Sequence, residues 1–390
     1  MLKDFSVSAV LAGFVAALVG FTSSVAVIFQ ATRSLGATPE QTASWLWGLG
    51  MGMAVASVAL SLKYRIPVLI AWSTPGAAVI AGAAADGNLS LPQATGAFLM
   101  CAALLTVAGF SGGFERVMKR LPMPLAAALL AGVLSKFALE TCAAVPGNPV
   151  LILSMAAAYG LGQRFWPRAK IPGILLVGVT VAALQGKFHA GQVPLGITWP
   201  VWVLPEFSWA VLVGVALPLF VVTMASQNLP GVAVFRVHGY QPPVSQLIGW
   251  AGVANLAVAA CGGFTLNLAA ITAAFCMGPD AHPDAGKRYV SAMAAGLFYG
   301  LIGLFGATIV ALLAAFPNEL ILALAGLALL GAIASGLAAA TADERYREAA
   351  VISYFVVLSG VSVAGIGSAF WGIVVGGLVV LLGKLAGRTA

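Results

Sequence analysis

The sequence predicts an all-α polytopic membrane protein with fourteen spanning segments arranged as two inverted halves of seven. Three observations carry that expectation: 61% apolar against 8% charged residues, basic residues sorted to alternate connections, and a match between the two halves of the chain. A soluble domain of this composition would expose large apolar patches, so lipid is the expected solvent. The net charge of +7 does not point to nucleic acid, because the basic residues stand in ones, twos and threes between long uncharged runs.

A spanning helix needs about 20 apolar residues. Charged or Pro/Gly-rich breaks leave segments near 7–31, 41–62, 67–85, 91–113, 122–142, 148–163, 169–186, 208–229, 243–261, 263–277, 289–314, 318–339, 347–361 and 366–384. The first continues from Lys3 and Asp4 to Ala31 without a small-residue cleavage site, so it reads as a spanning helix rather than a signal peptide. Arginine and lysine should collect in cytoplasmic connections. With this segmentation the cytoplasmic set holds Lys3, Lys63, Arg65, Arg116, Lys119, Arg120, Arg164, Arg168, Lys170, Arg236, Lys287, Arg288, Arg345, Arg347, Lys384 and Arg388. Only Arg33, Lys136 and Lys187 fall on the other side. One helix more or fewer in the middle would scramble the pattern, so the expected location is a bacterial inner membrane with both termini cytoplasmic.

An offset of 203 residues aligns Ser23, Arg33, Gly36, Pro39 and Trp47 with Ser226, Arg236, Gly239, Pro242 and Trp250. Seven spans per copy is odd, so the second copy enters from the opposite face, giving repeats over 1–186 and 208–390. Inverted repeats are a common transporter plan, with substrate held near the midplane.

Segments three and ten share an irregularity. The run Pro67–Ser73 looks extended and changes character at Ser73-Thr74-Pro75-Gly76, where Thr74 is the expected N-cap and Pro75 the first helical residue. The run Gly262–Leu268 is similar, with Asn267 as the expected cap. Each therefore combines a short extended stretch with a half-helix starting in mid-membrane. Facing helix starts would offer unpaired N–H groups and partial positive charge to an anion. Around them stand neutral hydrogen-bonding residues: Thr22, Ser23 and Ser24 in segment one; Ser73 and Thr74 in segment three; Ser226, Gln227 and Asn228 in segment eight; Thr265 and Asn267 in segment ten. Phe21, Trp72, Phe264 and Phe275 could flank an aromatic ring. The expected substrate is a small aromatic carboxylate.

Carrying an anion into a negative interior costs about 2.3 kcal/mol per 100 mV, so a co-transported proton is expected. No aspartate or glutamate lies in the central segments. Glu140 is the nearest candidate for proton coupling, although Lys136, four residues earlier, suggests a structural ion pair. The substrate itself could bring the proton. His189, His238 and His282 fall in connections, Asp280–Asp284 reads as a turn with helix caps, and Asp343–Glu348 as a solvated loop. Cys101, Cys142, Cys261 and Cys276 show no metal or disulfide spacing, and neither cofactor, metal nor enzymatic signature is found.

The motifs Leu11-Ala12-Gly13-Phe14, Thr22-Ser23-Ser24, Ala71–Ala78, Ser226-Gln227-Asn228-Leu229-Pro230-Gly231, Ala281-His282-Pro283-Asp284 and Gly365–Gly372 together resemble the bacterial benzoate/proton symporter (BenE) family. The likeness spans nearly the whole chain. It implies a fold similar to uracil permease and the sulfate-class anion transporters. Segments 1–4 and 8–11 (7–113 and 208–314) would then form a core domain that carries substrate. Segments 5–7 and 12–14 (122–186 and 318–384) would form a gate domain, through which relatives often dimerise. Nucleobase carriers of that fold place glutamates in segments eight and ten, where this chain has Gln227, Asn228 and Asn267. A neutral lining favours an acid. A nucleobase or inorganic-anion carrier of the same fold, and a channel, are the competing classes; no ring of pore charges supports the last.

Overall fold

The computed structural model describes residues 4–22, 24–85, 89–112, 122–165, 170–187, 195–269, 271–279, 281–361, 363 and 368–385. Ser23, His189, Asp280, the basic residues Lys3, Arg116, Lys119, Arg120, Arg168 and Arg388, and Gly365–Gly367 lie outside them. A helix occupies each predicted segment. Among the described residues seven helices, counting Val7–Ser34 as one, are long and apolar enough to cross a membrane, or eight if Ala285–Leu304 and Gly306–Leu312, bent by 68°, form one span. The protein is thus mostly helical and multi-pass.

The first segment breaks in two, α1 (Val7–Thr22) and α2 (Val25–Ser34), and reaches beyond the expected end at Ala31. Thr38 and Gln41 cap α3 (Pro39–Tyr64) reciprocally, with proline in the first turn. Ser90 and Gln93 repeat that device for α5 (Leu91–Phe110). Between them lie β1 (Ile70–Trp72) and α4 (Thr74–Ala85). Next come α6 (Met123–Ala144), α7 (Pro149–Phe165) and α8 (Lys170–Leu184).

The ninth helix, α9, runs over 209–237 and widens into π turns at Leu212–Ala216 and Met224–Asn228. Proline follows each π turn by two residues, at Pro218 and Pro230. A proline ring presses on the carbonyl four residues earlier, here Gly214 and Ser226, and widening the turn relieves that clash. The chain continues through α10 (Val244–Val258), β2 (Leu266–Leu268), α11 (Ile271–Met277), α12 (Tyr289–Leu304), α13 (Gly306–Ala314), α14 (Asn318–Thr341), α15 (Glu344–Ser359) and α16 (Ser368–Leu385). Asp343, expected in a loop, caps α15 by accepting from the Arg345 amide, so that helix starts earlier than predicted.

The most extensive helix packing falls into two sets. In one, α1 and α3 pack on α12, and α5 packs on α10; in the other, α6 packs on α14 and α15, and α7 on α8. Small residues permit the closest crossings, as bilayer helices associate by packing. A Cβ added at Gly50 would lie 2.5 Å from the Tyr299 carbonyl oxygen and 2.8 Å from the Gly303 Cα, so only glycine lets α3 and α12 approach this closely.

Candidate transport site

The centre of the fold is an antiparallel pair of three-residue strands, with Ile70 opposite Leu268, Ala71 opposite Asn267 and Trp72 opposite Leu266. Irregular backbone at membrane depth must have its polar groups satisfied by protein or by a wet cavity. On the side of β1 away from β2, α3 supplies hydroxyls: Ser57 Oγ accepts from the Ile70 amide at 2.9 Å, and Ser61 Oγ accepts from Val68 at 3.1 Å. For β2, Asn228 Oδ1 in the second π turn accepts from the Leu268 amide at 3.0 Å. Asn228 is fully buried, and its amide group donates to the Met224 sulfur at 3.4 Å, so both ends are engaged.

The two expected caps are corrected by this arrangement. Ser73, not Thr74, caps α4: its hydroxyl accepts from the Gly76 amide at 2.9 Å, and Thr74 is the first helical residue. Asn267 sits in mid-strand, where pairing with Ala71 overrides its local preference for a cap. Because the strands are antiparallel, α4 leaves one end of the ladder and α11 the other, so the two helix starts face the three-residue strand pair from opposite ends.

The cap at α4 leaves one donor open. Gly76 donates to Ser73 Oγ, Pro75 has no N–H, and Ala77 donates to the Ser73 carbonyl. Among the described residues only the Thr74 amide in that turn lacks a partner, and its hydroxyl also makes no hydrogen bond. Thr74 is half-buried, so both groups can be reached.

Other polar groups near the strand pair also lack partners. Gln227, half-buried beside Asn228, makes no hydrogen bond among the described residues. The Thr265 hydroxyl and Asn267 Oδ1 are buried and unpaired, as are both amide atoms of Asn255 on α10, the helix packed on β2. Thr265 adopts φ +20°, and its carbonyl accepts from both Ser73 N and Asn267 Nδ2. Unpaired buried polar atoms are rare in folded proteins, and here they include two residues of the segment that carries β2. Asn255 is absent from the predicted set, although a lone asparagine inside an apolar span could have signalled it.

The remaining predicted residues divide. Thr22 turns back onto the Leu18 carbonyl at 2.8 Å. Ser24 donates to the Gly20 carbonyl at 2.8 Å and accepts from the Trp72 indole at 2.7 Å, which ties the break in segment one to β1. Ser226 donates to Val222 at 2.6 Å. Trp72 stands between Phe21 and Tyr299, with ring centroids at 6.1 and 5.8 Å. Phe264 instead packs between Trp45 and Phe98, as part of the core. The offset of 203 that aligns Ser23 with Ser226 also places Thr22 and Val25, the facing ends of α1 and α2, on residues of the second π turn.

The family model described as BenE, benzoate membrane transport protein, matches residues 3–382. The chain belongs to the BenE family. It is 43% identical over 379 residues to the inner membrane protein YdcO of Escherichia coli (strain K12), covering 97% of this chain and 96% of that one. It is 38% identical over 374 residues to the benzoate membrane transport protein of Acinetobacter baylyi (strain ATCC 33305 / BD413 / ADP1), covering 96% and 94%. This BenE member is therefore a membrane transporter, not an enzyme.

Its fold is similar to that of SLC26A9, with a TM-score of 0.65 at 12% identity, over 98% of this chain and 66% of that one. It is also similar to the transmembrane domain of the cyanobacterial bicarbonate transporter BicA, with a TM-score of 0.55 at 15% identity, over 97% of both. The expected Lys136–Glu140 ion pair is absent among the described residues. The exposed Glu140 on α6 accepts from Gln30 Nε2 on α2, and Arg33 on α2 donates to Asn318 at the start of α14, so polar contacts tie α2 to α6 and α14.

Proposed function

We propose that this transporter carries benzoate or a related aromatic carboxylate together with protons, and that the carboxylate binds beside the strand pair. The observation that carries the reading is Thr74: an open helix-start amide and a free hydroxyl on one residue, next to the β1–β2 crossing and without an acidic neighbour in β1, β2 or α4. Gln227 offers a second neutral donor from the π turn. Charge-assisted hydrogen bonds to an anion are about twice as strong as neutral ones. The edge-on contacts of Trp72 with Phe21 and Tyr299 suit an aromatic ring, which supports an aromatic acid over an inorganic anion.

The same reading takes fourteen spans as two inverted repeats in an inner membrane, termini inside. The α1–α5 and α9–α13 group is the moving core, and the α6–α8 and α14–α16 group is the gate and the surface for a homodimer. In the absence of a central carboxylate, the proton travels with the substrate, and Glu140 serves the contact between groups.

Uptake of labelled benzoate into proteoliposomes tests this reading. An inward proton gradient is expected to drive saturable accumulation, competed by other aromatic acids. Uptake indifferent to the gradient would reject coupling, and competition by uracil or bicarbonate but not by aromatic acids would reassign the substrate.

A further inference from the structure

Residues 195–208, with Trp209 opening α9, form a strap between the two halves of the chain that is neither helix nor strand. The strap is fastened from beneath at five points. Gly196 donates to Thr308 Oγ1 at 3.2 Å, Thr198 to the Leu304 carbonyl at 2.8 Å, and Val201 to Ser44 Oγ at 2.8 Å. Val203 donates to the Ala260 carbonyl at 2.9 Å and Glu206 to Pro92 at 3.0 Å. Those partners belong to the first turns of α3 and α5, the end of the α10 segment, the last residue of α12 and the start of α13. The strap therefore lies at the level where these helices end.

The other face of the strap carries a row of large apolar side chains. Ile197, Trp199, Trp202, Leu204, Phe207 and Trp209 are all between 61% and 85% exposed, with Glu206 the only charged residue in the stretch. The backbone amides of Ile197, Trp199, Trp202, Leu204 and Phe207 make no hydrogen bond among the described residues. Two opposite demands thus fall on the same residues. Their side chains disfavour water, and so long an apolar row is unusual on a solvated surface. Their amides disfavour hydrocarbon, which tolerates no lipid-exposed irregular backbone. Only the boundary between headgroups and acyl chains meets both demands, and tryptophan is enriched there because its ring is apolar and its N–H polar.

We infer that this strap is a membrane-interface anchor, whose partner is the headgroup–acyl boundary of the leaflet opposite the basic loops. Its fastenings all lie on the helix group that contains the strand pair, so the anchor sets the depth of that group in the bilayer.

The test uses the full chain in phosphatidylcholine vesicles whose lipids carry bromine either near the carbonyl end or near the methyl end of the acyl chains. Emission of the wild type, with nine tryptophans, is compared with that of a Trp199→Phe/Trp202→Phe/Trp209→Phe variant, which keeps aromatic bulk. The difference isolates the strap. Its emission is expected to be quenched about twofold more by shallow than by deep bromines, and weakly by aqueous iodide. Quenching by iodide but by neither lipid would place the strap in water and overturn the proposal. Stronger quenching by deep bromines, or shielding from all quenchers as in a contact between two copies, would overturn it as well. The single Trp202→Phe variant supplies the same comparison if the triple variant does not fold. No outcome depends on which substrate is carried.

Discussion

The two broken segments at the centre of this protein solve one problem in different ways. In the first, β1 is held by two serines of α3, and the following twelve-residue helix is capped by Ser73. In the second, β2 is held by one asparagine from a π turn, Thr265 is twisted to φ +20°, and the Thr265 and Asn267 side chains keep unpaired atoms. The first is a satisfied scaffold with one opening, at Thr74. The second leaves polar capacity unspent. The difference teaches that a binding region is located less by its polar residues than by those whose polar atoms have no partner.

The largest expected effect lies in the second segment. Asn228→Leu orphans the buried Leu268 amide and should cost about 1–3 kcal/mol of stability along with transport. A thermal shift of the purified protein reports the first, and uptake the second. Ser57→Ala/Ser61→Ala should lower stability comparably but leave the KM for benzoate unchanged, because those hydroxyls only support β1. A changed KM would erase the contrast between scaffold and site.

Next in size is Thr74→Val, which removes a donor to the carboxylate and should raise KM roughly tenfold at unchanged thermal stability. Thr265→Val removes a hydroxyl that has no partner, so stability should hold or rise; a concurrent rise in KM would show that the ligand uses it. Glu140→Gln should retain the hydrogen-bonding contact with Gln30 and leave the number of protons per benzoate unchanged. Lost coupling with retained binding would make Glu140 the coupling residue.

The smallest effect concerns pH. The Asp4 carboxyl is held below its ordinary value, chiefly by the hydrogen bond that Tyr289 donates at 2.8 Å, and burial opposes that shift. A carboxylate lowered in the folded state contributes stability above its unfolded value and loses it as pH falls through the folded value. That window lies below about pH 4, so Asp4→Asn should leave the pH profile flat from about pH 5 to 8. A thermal-shift series across that range checks it.

Much of this fold is legible locally. Ser73-Thr74-Pro75-Gly76 announces a helix start because its signals act within one turn, although the cap falls one residue earlier than expected. Asn267 misleads because its partner strand lies nearly 200 residues away in sequence and outweighs a local preference. The π turns follow from Pro218 and Pro230, but only once the helix is known to continue through both prolines. The contact of Gln30 with Glu140, 110 residues apart, has no local signature at all.

Whether an aromatic carboxylate sits beside Thr74 and Gln227 is tested most directly by labelling. In a Cys142→Ser background, which removes the exposed native thiol, Gln227→Cys is treated with a maleimide in the presence of benzoate. Saturating benzoate should slow labelling severalfold while an equal concentration of chloride does not. A labelling rate that stays constant at every benzoate concentration, in protein that still takes up benzoate, would contradict the account.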